Sequence, residues 1–429
     1  MERKKVIRHN YYALIGTSWI VSILSVLLAF TLKHITEFFE HKIFGIVESH
    51  NHLFFIVLPT IGITAIYFLR KYAFHGKKNK GITEIYKTLD QRKDHLPFFK
   101  IPSHFINGVL TVIFGGSTGV EVSTVVATAA VGNQIHQQHF SANMYKCELI
   151  CAGVAAGVAV LFDSPLAGWL FALEVIARKT SKSLVISCTA SALLAWVFIH
   201  FFDNKPLLPF TIDHWTWQAV PFFILLSLLG GALSVYFTLL VTRMKAFFGN
   251  ISNNFIRVNL GAIAVGLMIF LFPVLYGDSY HGFREILEQS ANAQVLPILT
   301  LLILSLIKPL AASLTLGAGG DGGVFAPSIV AGGFLGLLFA TVCNQHFGTH
   351  LIPLNFALVG AAATLSASIY APFTALILAC NLLPNGYQLF FPLLLGSLVS
   401  KYFSQKILLP YNVYSYDFYL AAQKKAAAH

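Results

Sequence analysis

Long apolar runs separated by short polar breaks recur along the chain, for example at 13–32, 54–69, 219–242, 258–276 and 355–380. A run of about 18 or more apolar residues can cross a bilayer as a helix. The short alternating segments of a β-barrel do not occur in this pattern. It predicts an all-α polytopic membrane protein. The basic start MERKKVIRHNYY precedes the first run and resembles the head of a signal peptide. No small-residue cleavage site follows, so the first helix is expected to be retained.

The apolar pattern also repeats. GGSTGVEVSTVV (115–126) aligns with GGDGGVFAPSIV (319–330) at an offset of 204. AGVAAGVAVLFDSPLAGWLFALEV (152–175) aligns with VGAAATLSASIYAPFTALILACNL (359–382) at an offset of 207. Two blocks in order, at nearly equal offsets, predict two homologous halves, residues 10–205 and 215–420. Repeated halves are typical of transporter folds, whose sites lie near the midplane at broken helices.

Composition agrees with the membrane reading. Of 429 residues, 56% are hydrophobic and 11% charged, against roughly 25% charged in soluble domains. The net charge of +11 fits the positive-inside rule better than nucleic-acid binding. Basic clusters at Lys4, Lys5 and Arg8, at Arg178, Lys179 and Lys182, and at Lys401 and Lys406 predict cytoplasmic termini. A prokaryotic inner (plasma) membrane is expected. The five cysteines have no zinc spacing and predict buried free thiols.

A glycine-rich run followed by an apolar helix, in both halves, predicts two helices that start inside the membrane. Irregular backbone is tolerated there only where protein buries it or water lines it. A helix start offers free N–H groups and about half a positive charge, hence an anion site. The bland alternative is that these glycines only let helices pack closely. Gly115–Gly119 also matches G-x-S-x-G, the nucleophile elbow of hydrolases. That motif needs a soluble strand–turn–helix, and the second copy has Asp321 at the serine position. No enzyme is expected. Glu121 is the only acid between Asp94 and Glu148, and an intramembrane acid is a functional candidate by default.

These residues resemble the CLC family of voltage-gated chloride channels and chloride/proton antiporters. GGVFAPSI (322–329) is close to the family's third signature, and SPLAGWLFALEV (164–175) resembles the helix after its second. GVEVS (119–123) stands in place of G-[RK]-E-G-P, and NKGITEI (79–85) in place of G-S-G-I-P-E-I. NVYSYDFY (412–419) resembles the start of the last helix. The resemblance implies a CLC-type inverted repeat of about eighteen helices, many broken or tilted. It implies a homodimer in the lipid bilayer, with one pore per subunit. No cofactor, metal or nucleic acid is implied; chloride is the permeating ligand. The chain stops just after the last helix, so no soluble regulatory domain is expected.

Carried over by position, Glu121 matches the gating glutamate, which competes with chloride and swings aside when protonated. The N–H groups of Val324 and Phe325 match those that ligate the central anion. Tyr414 matches the pore tyrosine, with Tyr416 as the alternative. Lys80, Gly81, Ile82 and Gly119 fall on the remaining anion-binding segments. Lys80 replaces a serine: it either holds an anion or pairs with Glu121, or it snorkels to water beside Lys77 and Lys78. Val120 replaces a basic residue, and Val122 and Ser123 replace Gly-Pro.

Val175 stands where proton-coupled members often carry an inner glutamate, with Glu174 beside it. Glu121 and Glu174 are the candidate proton pathway, and Val175 tips the reading towards uncoupled conduction. A chloride/proton antiporter, a fluoride/proton antiporter of the same fold and a non-transporting membrane protein are the alternatives. Glu174 and Lys308 read as structural. Asp321 either caps the helix starting near Gly323 or points away. HQQH (136–139) reads as a solvated loop rather than a metal site.

Overall fold

The computed structural model describes residues 2–74, 76, 77, 79–91, 94–140, 144–203, 207–292 and 297–426. Lys78 and the side chains of Lys4, Lys5 and Arg8 lie outside the described residues. Among the described residues the protein is all-helical, with no strand beyond one isolated bridge. The first helices are α1 (Glu2–His50), α2 (Phe54–Tyr72), α3 (Ile82–Asp90), α4 (Lys100–Ile113), α5 (Glu121–His139), α6 (Lys146–Leu161), α7 (Pro165–Phe171) and α8 (Lys182–Phe202). There follow α9 (Val220–Gly249), α10 (Asn254–Leu271), α11 (Tyr280–Ala291), α12 (Ile298–Ala318), α13 (Phe325–Phe347) and α14 (Pro353–Ile369). The last are α15 (Pro372–Asn381), α16 (Phe390–Tyr402) and α17 (Tyr416–Ala426). By length and composition, seven of the described helices can cross a membrane.

Two predicted spans differ from the structure. The run 355–380 is two helices, because Pro372 has no N–H and disfavours helical backbone at the residue before it. Tyr370, with φ of +57°, makes the turn between α14 and α15. The run 258–276 stops at Leu271 for the same reason, with Pro273 just beyond. In the other direction α1 outruns its apolar segment. Its Lys33 is tolerated because the ammonium lies 2.9 Å from both Asp163 and Asp203, and buried charges need such partners.

The chain forms two compact units. The first comprises Met1–Ile35, Lys78–Ile106 and Glu121–Leu207. Here α1 packs on α6 and α8 through Val26, Ala29, Ala156, Ala159 and Ala195, and Ser18 bonds Ser187 at 2.7 Å. Local signals set α7: Ser164 caps it by accepting from the Ala167 N–H, and Pro165 takes the first turn, where a missing N–H costs nothing. The second unit comprises Thr36–Lys77, Asn107–Val120 and Leu208–His429. Its α9 and α14 stack Phe223 on Phe356, with ring centroids 4.6 Å apart.

Each unit contains a pair of helices in backbone contact. A β-carbon on Gly132 (α5) would stand 2.2 Å from the Leu149 carbonyl (α6), and one on Gly336 (α13) 2.0 Å from the Phe356 carbonyl (α14). A β-carbon on Gly153 would stand 2.3 Å from the Thr128 carbonyl, and one on Gly360 2.2 Å from that of Gly332. Only small residues allow this approach between membrane helices. Gly132 and Gly336 are 204 positions apart, and Gly153 and Gly360 are 207 apart. These are the offsets of the two sequence blocks.

Candidate anion-binding site

In the second unit the two glycine loops lie against each other. Gly119 and Gly323 form an antiparallel bridge. The Thr118 hydroxyl donates to the Gly323 carbonyl at 2.7 Å and accepts from its N–H at 3.0 Å. Gly115 and Gly319 turn the chain with φ of +80° and +115°, a region that favours glycine.

The loops are tied by an exchange. The Ser117 N–H, in the first loop, donates to the Thr315 hydroxyl at 3.1 Å. The Asp321 N–H, in the second, donates to the Thr111 hydroxyl at 2.9 Å. Each threonine also receives its own loop: Gly116 N–H reaches the Thr111 carbonyl at 2.7 Å, and Gly320 N–H reaches that of Thr315 at 2.9 Å. Neither threonine belongs to a glycine motif, and neither stands out alone. Their separation of 204, the same as that of the loops, is the signal that would have found them.

Beyond the second loop α13 begins at Phe325. Val324 is its N-cap residue, and no side chain caps the helix. Asp321 is therefore not the cap: it sits three residues before the N-cap position, and its side chain has Arg70 as a cationic neighbour. The Val324 and Phe325 side chains are buried. Tyr414 is buried too, with its ring centroid 6.3 Å from that of Phe325. Its N–H donates to Asn412 Oδ1 at 3.1 Å. Tyr416 instead opens α17, its ring 5.0 Å from that of Tyr411. This corner thus joins a helix start, a short glycine approach and a phenol. The helix start favours negative charge.

Lys308 is fully buried. Its ammonium donates to Ser117 Oγ at 2.9 Å, Ser279 Oγ at 2.7 Å and the Gly277 carbonyl at 3.2 Å. It braces the first glycine loop directly, as the structural reading of Lys308 expects.

In the first unit, Glu121 is the first residue of α5 and is 4% exposed. A carboxylate in the first helical turn is favoured by the helix dipole. Val122 and Ser123 continue the helix in place of Gly-Pro, and both are buried. Gly81 caps α3 with φ of +62°, and a β-carbon there would come within 3.2 Å of Val122. Ile82 is fully buried. Lys80 has an exposed side chain, and its N–H donates to Glu84. The buried cation of this corner is Lys100, 2.8 Å from Glu84 and bonded to Asn79 at 3.2 Å. Of the two readings of Lys80, the exposed side chain fits the one that turns to water.

Glu174 is half-buried in a π-helical turn, Ala172–Ala177. Val175 is buried, and its carbonyl accepts from the Tyr86 hydroxyl at 2.9 Å. Burial pushes the Tyr86 phenol up to about 12, so it stays a neutral donor. HQQH is helical rather than a loop, and Gln137, Gln138 and His139 are exposed as expected. It ends α5, and His136 is buried with Nε2 3.1 Å from the Met144 carbonyl.

Long apolar helices and helix ends buried in the interior define a polytopic membrane protein built around irregular backbone. The sequence profile described as "voltage gated chloride channel" matches residues 61–405, and the chain belongs to that family. It is 27% identical over 338 residues to the H(+)/Cl(-) exchange transporter ClcA of Vibrio cholerae, covering 76% of this chain and 70% of that one. It is 28% identical over 308 residues to the chloride channel protein CLC-f of Arabidopsis thaliana, covering 67% of this chain and 39% of that one. The fold is that of the X-ray structure of a slow cyanobacterial Cl-/H+ antiporter. The TM-score is 0.81 at 20% identity, over 96% of this chain and 99% of the other.

Proposed function

We propose that the protein moves chloride across a membrane through a CLC-type pathway, coupled to protons, with Glu121 as the gate. The observation that carries this is the uncapped start of α13 beside the Gly119–Gly323 bridge. Backbone N–H groups of Val324 and Phe325 and the Tyr414 hydroxyl would hold the anion. Gly119 allows close backbone approach, and Gly81 and Ile82 would carry the start of α3. Glu121, opening α5 two residues after Gly119, would compete with the anion and carry a proton when the anion leaves.

Val175 argues for uncoupled conduction, because a valine cannot relay protons. The relatives weigh the other way: ClcA is an exchange transporter by name. We therefore favour coupling, with Glu174, the acid next to Val175, as the inner proton carrier. The matching helix pairs, Gly132 with Leu149 and Gly336 with Phe356, support reading the chain as two repeated halves. A homodimer and cytoplasmic termini belong to the same reading.

Purified protein in chloride-loaded vesicles should release chloride when a potassium ionophore clamps the voltage. It should also prefer chloride to fluoride. Absence of release, or release of fluoride alone, would remove chloride transport as the function.

A further inference from the structure

We infer that Glu40 and Asp278 form a second proton-binding site, which acts on the first glycine loop through Lys308 and Ser117. All of these residues belong to the second unit. The Asp278 N–H donates to Glu40 Oε1 at 3.3 Å. The Glu40 carboxyl lies so close over Gly277 that a β-carbon there would meet it at 1.8 Å. Asp278 Oδ1 accepts from the Tyr280 N–H at 2.9 Å. Lys308 holds Gly277 O and Ser279 Oγ, the two neighbours of Asp278, and Ser117 Oγ. The loop 277–279 is therefore held both by the Glu40 carboxyl, through the Asp278 N–H, and by the Lys308 ammonium, and both charges act on Asp278 or its neighbours.

Charge counting decides the state of the pair. One ammonium balances one carboxylate. A second carboxylate in the same buried place would stand uncompensated, and a buried charge of that kind takes up a proton instead. Burial raises the Asp278 carboxyl, and hydrogen bonding from Tyr280 and the Lys308 charge oppose that rise. The other ionisable groups acting on the pair are Glu37 and His41 on α1, the Tyr276 phenol before α11, and His281 on α11. His41 and His281 stack edge to face, 5.1 Å apart. His281 is half exposed, 3.2 Å from the equally exposed Glu285. Both imidazoles are exposed, and both charges act on Asp278.

The consequence reaches the loop. With the proton bound, Lys308 faces a single carboxylate and keeps its bond to Ser117. When the proton leaves, at pH above the raised carboxyl, the added negative charge draws the ammonium away from Ser117. Ser117 lies four residues before Glu121, so the first glycine loop loosens as pH rises. That effect on anion binding rests on the function proposed above, whereas the proton site does not.

Infrared difference spectroscopy of the Glu121→Gln protein at neutral pH should show a protonated-carboxyl band. The band should vanish on adding Glu40→Gln, and equally on adding Asp278→Asn. Chloride affinity by calorimetry in the Glu121→Gln protein, where the gate no longer titrates, should weaken with rising pH and lose that dependence on adding Glu40→Gln. A carboxyl band unchanged in both added variants would overturn the site. A lost band with an unchanged affinity profile would keep the site and overturn its link to the loop. No chloride binding at any pH, with the band behaving as expected, would overturn the transport reading and leave the proton site standing.

Discussion

The Glu121→Gln protein is expected to move chloride with no proton movement above background. Glutamine has nearly the same shape as glutamate, accepts and donates hydrogen bonds, and cannot take up a proton. Glu121 is the only acid between Asp94 and Glu148, and it is buried where α5 starts. If the gate works by competition, removing the negative charge also removes the competitor. Chloride binding should then tighten, because the helix start favours an anion that no carboxylate now opposes. Proton uptake by a pH electrode and chloride release by an ion-selective electrode, on the same vesicles, separate the two effects. Retained proton uptake would move the proton carrier away from Glu121.

The largest expected structural effect is at the two threonines that exchange between the glycine loops. Thr111→Val removes the hydroxyl that receives the Asp321 N–H, and Thr315→Val removes the one that receives the Ser117 N–H. Valine fills the same space, so no cavity opens. Each change leaves a buried N–H without its partner, which costs about 1–3 kcal/mol. Since about 1.4 kcal/mol is a tenfold change in an equilibrium constant, either single variant should weaken chloride binding by roughly tenfold if the cost is borne by loop geometry. The double variant should unfold earlier than either single variant on heating in detergent. Serine at either position should restore most of the loss, because it returns the hydroxyl.

Much of this geometry was legible in the sequence because it is local or repeated. The Ser164-Pro165 start of α7 is a capping pattern, and the paired glycine loops announced themselves by their common offset. The break at Pro372 was missed because apolar residues on both sides hide it; the proline itself was the available signal. His136 was misread because HQQH is polar, whereas the fold turns one side of α5 inward and gives Nε2 a carbonyl. Asp203 lies 170 positions from Lys33, Ser117 lies 191 from Lys308, and Asp278 lies 238 from Glu40. Only folding brings such groups together, so no local pattern in the sequence pairs them. The exposure of Lys80 likewise depends on Lys100, which takes the Glu84 carboxylate.

Coupling of chloride to protons, despite a valine at position 175, is the central claim. The reversal potential of protein in planar bilayers or vesicles tests it most directly, measured at fixed chloride while the proton gradient is varied. A coupled exchanger with Glu121 intact shifts its reversal potential with the proton gradient, and Glu121→Gln abolishes the shift. A wild-type reversal potential that follows chloride alone, at every proton gradient, would contradict coupling and return the protein to a passive chloride pathway.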